Sequence, residues 1–148
     1  MLKYTLMLAI AVGVAGCGPK NGGGAGGDKM TTQAPGPTEL AAYAGHAVYP
    51  ANQTATNDLQ TAAIVTSSRD TLKIYNFSGH ALRNVEVWVN GAFVQHISGI
   101  PAQGSVSVKS SDLYNGLGKN FAGQKEPFSK VQLKTPDGFY NAWGPAAE

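Results

Sequence analysis

The segment 84–97 constrains the fold of this chain more than any other, because it has the pattern of a tight β-hairpin. Residues 84–89 and 92–97 are rich in valine and aromatic side chains and flank Asn90-Gly91. These two residues tolerate the positive φ angles of a type I′ turn. A two-residue turn would place three pairs on one face, which we expect to be core: Val89 with Ala92, Val87 with Val94, and Val85 with His96. The opposite face would carry Trp88 with Phe93, Glu86 with Gln95, and Asn84 with Ile97.

Five further segments are expected to be strands, because apolar or alternating runs recur between turn signals. They are residues 62–66, 72–77, 104–109, 130–134 and 139–143. A type I turn over residues 135–138 joins the last two. Seven antiparallel strands predict an all-β fold, a small β-sandwich of immunoglobulin-like or fibronectin-like architecture over residues 39–148.

Two connecting segments carry weaker signals. Residues 39–44 predict a short helix with Thr38 as its N-cap. The segment 110–127 contains several glycine and proline breakers, so we expect a long loop that Leu117 and Phe121 pin to the domain.

The first 16 residues have the three parts of a secretory signal peptide. Lys3 supplies a positive start, residues 6–14 an apolar stretch, and Ala15-Gly16 the small residues that precede a cleavage site. The apolar run is about 13 residues long, whereas a helix needs about 20 to span a bilayer. We therefore expect the chain to be exported and not to keep this segment as a transmembrane helix.

Val14-Ala15-Gly16-Cys17 adds a more specific pattern: a branched aliphatic residue, two small residues and the only cysteine of the chain. These four residues resemble the lipobox of bacterial lipoproteins. The resemblance implies that Cys17 is acylated, with palmitate-type chains, and becomes the first residue of the mature protein in the membrane. The alternative is an ordinary secretory signal followed by a chance cysteine.

Residues 17–38 are rich in glycine and proline and lack apolar periodicity, so we expect a flexible tether after the lipid. About 21 residues of such coil have a root-mean-square span of roughly 25 Å. The lipoprotein resemblance implies a location in the cell envelope. In bacteria with two membranes an aspartate after the cysteine often marks inner-membrane retention; Gly18 stands there instead, which favours the outer membrane, facing the periplasm.

Charge and residue spacing argue against several other functions. The chain has 11 Lys and Arg residues, scattered along its length, and a net charge of +2, so we expect no nucleic-acid partner. His46, His80 and His96 lack the spacing of metal ligands, and no second cysteine is present, so we expect no metal or other cofactor. No nucleophile and base stand together in the sequence, and we expect a protein that is not an enzyme.

Four aromatic residues are the candidates for binding a partner: Trp88, Phe93, Tyr140 and Trp143. Exposed aromatic rings stack on sugars or fill pockets in partner proteins. The expected function is that of a lipid-anchored interaction or accessory module that contacts an envelope protein. A carbohydrate- or peptidoglycan-binding module, contacting cell-wall glycan, is the alternative. If the hairpin faces are inverted, or if the 110–127 loop covers Trp88, these rings are interior instead.

Replacing Cys17 with serine should abolish fatty-acid labelling and release the protein from membranes, because the thiol is the only acceptor of the lipid in this interpretation. Metabolic labelling with a fatty acid, followed by membrane fractionation, measures both effects. Unchanged labelling of the Cys17→Ser chain would contradict the lipoprotein assignment.

Overall fold

The structure, a computed structural model, describes residues 34–65 and 70–142, which contain one α-helix, two short 3₁₀ turns and eight strands. The helix is α1 (Pro37–His46). The strands are β1 (Thr61–Val65), β2 (Thr71–Asn76), β3 (Leu82–Val89), β4 (Phe93–Ile100), β5 (Gly104–Lys109), β6 (Tyr114–Asn115), β7 (Val131–Thr135) and β8 (Gly138–Asn141). The predicted all-β class is confirmed.

The strands form two antiparallel sheets. One sheet has three strands in the order β1-β2-β5, and the other has five in the order β6-β4-β3-β7-β8. This division of consecutive strands between two sheets is typical of immunoglobulin-like sandwiches. The strand beyond the seven predicted is the two-residue β6, which lies within the segment predicted to be loop.

The inner faces of the two sheets form the main core, as the alternation of the strands predicts. Leu72 and Ile74 of β2 and Val108 of β5 are fully buried on one side. The opposing sheet contributes residues that are equally buried: Val85, Val87, Val89 and Leu133. The prediction that Val85, Val87 and Val89 face the core is therefore confirmed, whereas Val94, predicted on the same face, packs with Trp88 on the outer face. Burying each such side chain contributes about 1.5–3 kcal/mol to folding.

The predicted turn between β3 and β4 forms, but the predicted register is wrong by one residue. Asn90 and Gly91 have φ angles of 53° and 69°, and the Ala92 amide donates to the Val89 carbonyl. Ala92 is an additional residue in the connection, so that Val89 pairs with Phe93 and Trp88 with Val94.

The shifted register moves each side chain of β4 to the other face. Phe93 enters the core between the sheets, and His96, predicted on the valine face, is exposed on the outer face opposite Glu86. The predicted register would have buried an imidazole and left a phenyl ring outside. The physical reason for the observed pairing is therefore the burial of the more apolar side chain.

The part of the outer face of the five-stranded sheet around Trp88 is also buried, beneath α1 and the segment that follows it. Ala44 of α1 packs with three residues of the sheet: Trp88, Val94 and Phe139. Tyr49 adds its ring edge to both Trp88 and Phe139. Of the predicted alternatives, covering of Trp88 is correct, but α1 and Tyr49 cover it.

The helix itself starts earlier than predicted. Its N-cap is Gly36 and not Thr38, because Pro37 occupies the first helical position, where a missing N–H costs nothing. The Glu39 carboxylate accepts a hydrogen bond from the Gly36 amide at 3.0 Å. The helix therefore begins two residues before position 39, where the sequence predicted its start.

The segment between β5 and β7 closes one end of the sandwich. Leu113, Phe121 and Phe128 are buried in the main core, so the predicted role of Phe121 is confirmed. The predicted role of Leu117 is wrong, because its side chain is 83% exposed. The Asn120 side chain stabilises the loop by donating to the Ser111 carbonyl and accepting from the Ala122 amide.

Replacing Gly99 with alanine should destabilise the domain by about 2 kcal/mol or more, because the new Cβ would overlap the backbone carbonyl oxygen of Leu82 on the paired strand. Gly79→Ala is the matched control, since its Cβ would meet no atom within 4 Å. Urea unfolding measures both changes. Equal stability of the two variants would contradict the β3–β4 pairing described above.

Candidate functional site

The structure places the first two predicted binding residues, Trp88 and Phe93, in the interior and on opposite faces of the same sheet. Trp88 is 3% exposed and packs against Tyr49, with ring centroids 5.3 Å apart. Phe93 is 5% exposed and packs edge-on against Phe121 at 5.0 Å. The predicted cross-strand pair of exposed rings is therefore wrong, and neither ring is available to a partner in this structure.

The other predicted residues divide between the sheet edge and the undescribed part of the chain. Tyr140 is half-buried on the edge strand β8, opposite Leu133, and its side chain lies against Gly138. Trp143 and the lipidation candidate Cys17 lie outside the described residues. Of the predicted aromatic residues, the three that the structure describes, Trp88, Phe93 and Tyr140, do not form a shared exposed surface.

The outward face of the three-stranded sheet differs from that of its partner sheet, because no described element packs on it. The register aligns outward positions of β2 with those of β5: Tyr75 with Ser105, Lys73 with Ser107, and Thr71 with Lys109. All three β5 residues of this group are exposed. We call this surface, together with Phe77, the β2–β5 face.

A stacked aromatic pair, half-buried Tyr75 and exposed Phe77, lies on the β2–β5 face. The rings of Tyr75 and Phe77 are parallel to within 4°, with centroids 6.0 Å apart, and Phe77 is 58% exposed. The Lys73 Nζ lies 4.9 Å from the centroid of the Tyr75 ring, within the range of a cation–π interaction. The lysine and the two rings thus follow one another at alternate positions along the strand.

The backbone around Phe77 is held firmly. Asn76 is fully buried, and its side-chain Nδ2 donates to the backbone carbonyls of His80 and Pro101. Its side-chain oxygen accepts from both the amide and the hydroxyl of Ser78. The Phe77 amide donates to the Gln60 carbonyl at 2.8 Å. These bonds on either side fix the direction of the Phe77 side chain, so the aromatic pair is preorganised.

A sequence signal for this surface exists in the alternation of β2. Leu72, Ile74 and Asn76 point inward, and the residues between them point outward. The overall apolar composition of 72–77 does not separate inward from outward positions, because Tyr75 and Phe77 are themselves apolar. Reading the strand at period two separates these aromatic residues from the buried aliphatic ones.

Glu86 is the centre of a polar cluster under α1. Its carboxylate accepts hydrogen bonds from Tyr43 Oη at 3.0 Å and from Trp88 Nε1 at 2.9 Å. Lys134 Nζ lies 3.2 Å from the same carboxylate, whose side chain is 17% exposed. Burial, then the hydrogen bond to Glu86, and then the charge of Glu86 raise the pKa of Tyr43 to about 12. The cluster links α1 to the sheet and orients the Trp88 ring.

A cleft of about 420 Å³ lies where the β5–β7 segment meets the start of β2. Phe121 and Phe128 form its apolar part, and Asp70, Lys125 and Glu126 contribute charged groups. Its volume falls in the range of small-molecule sites. Within residues 34–65 and 70–142, no three His, Cys, Asp or Glu side chains are grouped to hold a metal ion. None of the described helices has the length and apolar character needed to cross a membrane.

Comparison with protein-family models, with curated proteins and with solved structures found no match to this chain.

The absorbance change of tyrosine ionisation above pH 11 should be smaller in Tyr43→Phe than in the unaltered chain, because the pKa of Tyr43 is raised to about 12. Glu86→Gln should lower that pKa toward 10 while leaving the contribution of burial in place. Since the folded pKa exceeds the unfolded one, the stability due to neutral Tyr43 is complete below pH 10 and is lost as pH rises through 12. An unaltered high-pH titration in Tyr43→Phe would show the cluster to be wrong.

Proposed function

We propose that this chain is a lipid-anchored, non-enzymatic interaction module of the bacterial envelope, in which the β2–β5 face contacts the partner and Cys17 carries the lipid. The observation that carries the proposal is the exposed Phe77 ring, stacked on half-buried Tyr75, on a sheet face that no described element covers.

Exposure of the Phe77 ring is costly to the isolated domain. Burial of a phenylalanine side chain stabilises a fold by about 1.5–3 kcal/mol, and Phe77 forgoes much of that. A single exposed apolar residue is ordinary in soluble proteins. Two adjacent rings with a lysine ammonium beside them, held by a fully satisfied Asn76, form a preorganised surface, and aromatic residues are enriched where proteins meet partners.

The proposed anchor explains how a small surface is sufficient. A domain on a tether of about 21 residues stays within tens of ångströms of the membrane, so its effective concentration near an envelope partner is high. Weak contacts through one sheet face are then enough for occupancy. The lipobox-like residues Val14-Ala15-Gly16-Cys17 and the glycine-rich composition of 17–38 support this part of the proposal.

Incorporating the photo-crosslinker p-benzoylphenylalanine at position 77 should give a discrete adduct in cells, because this ring faces the partner. The matched control is incorporation at Leu117, which is 83% exposed but lies in the β5–β7 segment. Gel mobility and mass spectrometry identify the adducts. In the Cys17→Ser background the adduct at 77 should decrease.

Two results would contradict the proposal. One is the absence of any adduct at 77 although hydroxyl radicals oxidise Phe77 in the folded chain. The other is an identical set of adducts at 77 and 117, which would indicate collisions without a defined surface.

A further inference from the structure

We infer that the β2–β5 face binds a carboxylate-bearing glycan strand of the peptidoglycan type. A sugar ring stacks on Phe77, and the carboxylates of the strand pair with Lys73 and Lys109. This inference rests on the proposed function and names the ligand of the same surface.

The geometry of the ring pair distinguishes it from the other aromatic contacts of the described residues. Pairs that contribute to the two cores meet at tilted or edge-on angles, between 47° and 81°. Tyr75 and Phe77 are within 4° of parallel. Edge-on packing fills an interior, whereas in a stacked pair at the surface the Phe77 face that does not meet Tyr75 is the one on which a ligand can stack. The apolar C–H face of a pyranose stacks on such a flat ring.

Hydroxyl groups line the strand beside these rings. Ser105 pairs with Tyr75, and Ser107 pairs with Lys73, so both exposed serines are on the same side of the sheet as the rings. Each hydroxyl can donate one hydrogen bond and accept two. A row of donors and acceptors next to a stacking surface is suited to the hydroxyl and acetamido groups of a sugar chain.

The charge of the face selects an anionic strand over a neutral one. Lys73 and Lys109 are its charged residues, and the described outward positions of β1, β2 and β5 include no Asp or Glu. The Lys73 ammonium is held 4.9 Å from the Tyr75 ring, which places its charge beside the stacking site. Lactyl and peptide carboxylates of peptidoglycan would meet this charge next to the sugar ring.

A protein partner fits these features less well. The core of a protein interface is apolar and depleted in charge, with the polar groups at its rim. Here Lys73, Ser105 and Ser107 lie directly next to the rings, in the middle of the face. The exposed aromatic surface is mainly that of Phe77, which matches one sugar unit.

Co-sedimentation of the purified full chain with isolated peptidoglycan sacculi tests the inference. The unaltered chain should sediment with sacculi, and Phe77→Ala should weaken binding about tenfold, the loss expected for one stacked ring. Phe77 is 58% exposed, so this variant should fold, which circular dichroism verifies. Leu117→Ala is the control for an exposed apolar residue outside the site and should bind as the unaltered chain does.

Sacculi whose carboxylates have been amidated test the charge. Binding of the unaltered chain to them should fall several-fold, and Lys73→Gln should weaken binding to untreated sacculi without weakening it further on amidated ones. No sedimentation of the unaltered chain, or equal binding before and after amidation, would overturn the inference.

The test separates this inference from the proposed function. A protein adduct at position 77 without binding to sacculi would assign the face to a protein partner, overturning the glycan and leaving the interaction module in place. A dimer that dissociates in Phe77→Ala would assign it to a second copy of the chain, with the same consequence for the glycan. Loss of every adduct at 77 would contradict the proposed function as well.

Discussion

The pairing of β3 with β4 is the constraint on which the rest of this structure depends. The connection between these strands contains one additional residue, Ala92. Because side chains alternate along a strand, this residue decides which side chains of β4 face the core and which face outward. With Phe93 turned into the core between the sheets, Trp88 and Val94 lie on the outer face. A tryptophan and a valine on a central strand pair need cover, and α1 with Tyr49 supplies it. The helix is therefore a third layer that the hairpin register requires.

Covering one sheet on both sides makes the sandwich asymmetric. Around Trp88, the five-stranded sheet is buried between α1 and the main core, and its outer layer is fixed by the carboxylate of Glu86, which accepts from Tyr43 on the helix and from Trp88 on the sheet. The three-stranded sheet keeps an outward face that no described element covers. That face carries the stacked pair Tyr75–Phe77, whose rings are within 4° of parallel. It is left uncovered because α1 packs on the other sheet. The candidate site is thus a consequence of the fold and is held by the buried amide of Asn76.

The sequence could predict what depends on local chemistry. Asn90-Gly91 adopts positive φ because both residues tolerate it wherever they occur, and the valines of β3 are core because their alternation matches the pleat. The register could not be predicted from the turn alone. The additional residue at Ala92 lets Phe93 pack against Phe121, which lies more than 25 positions further along the chain. Coverage of Trp88 by α1 is likewise non-local. The alternation of β2 predicts that Tyr75 points outward. Whether another layer covers that face depends on where α1 packs, which the local sequence of β2 does not determine.

The two sheets differ in how far solvent reaches their outer faces: α1 covers the five-stranded sheet around Trp88, and no described element covers the three-stranded sheet. Hydroxyl-radical footprinting of the full chain tests this difference most directly, with the oxidation rate of each aromatic residue divided by its rate in the denatured chain. This ratio removes the intrinsic reactivity of each side chain. The structure predicts a high ratio for Phe77 and strong protection of Trp88 and Phe93, which are 3% and 5% exposed. Protection of Phe77, or oxidation of Trp88 at close to its denatured rate, would contradict the account.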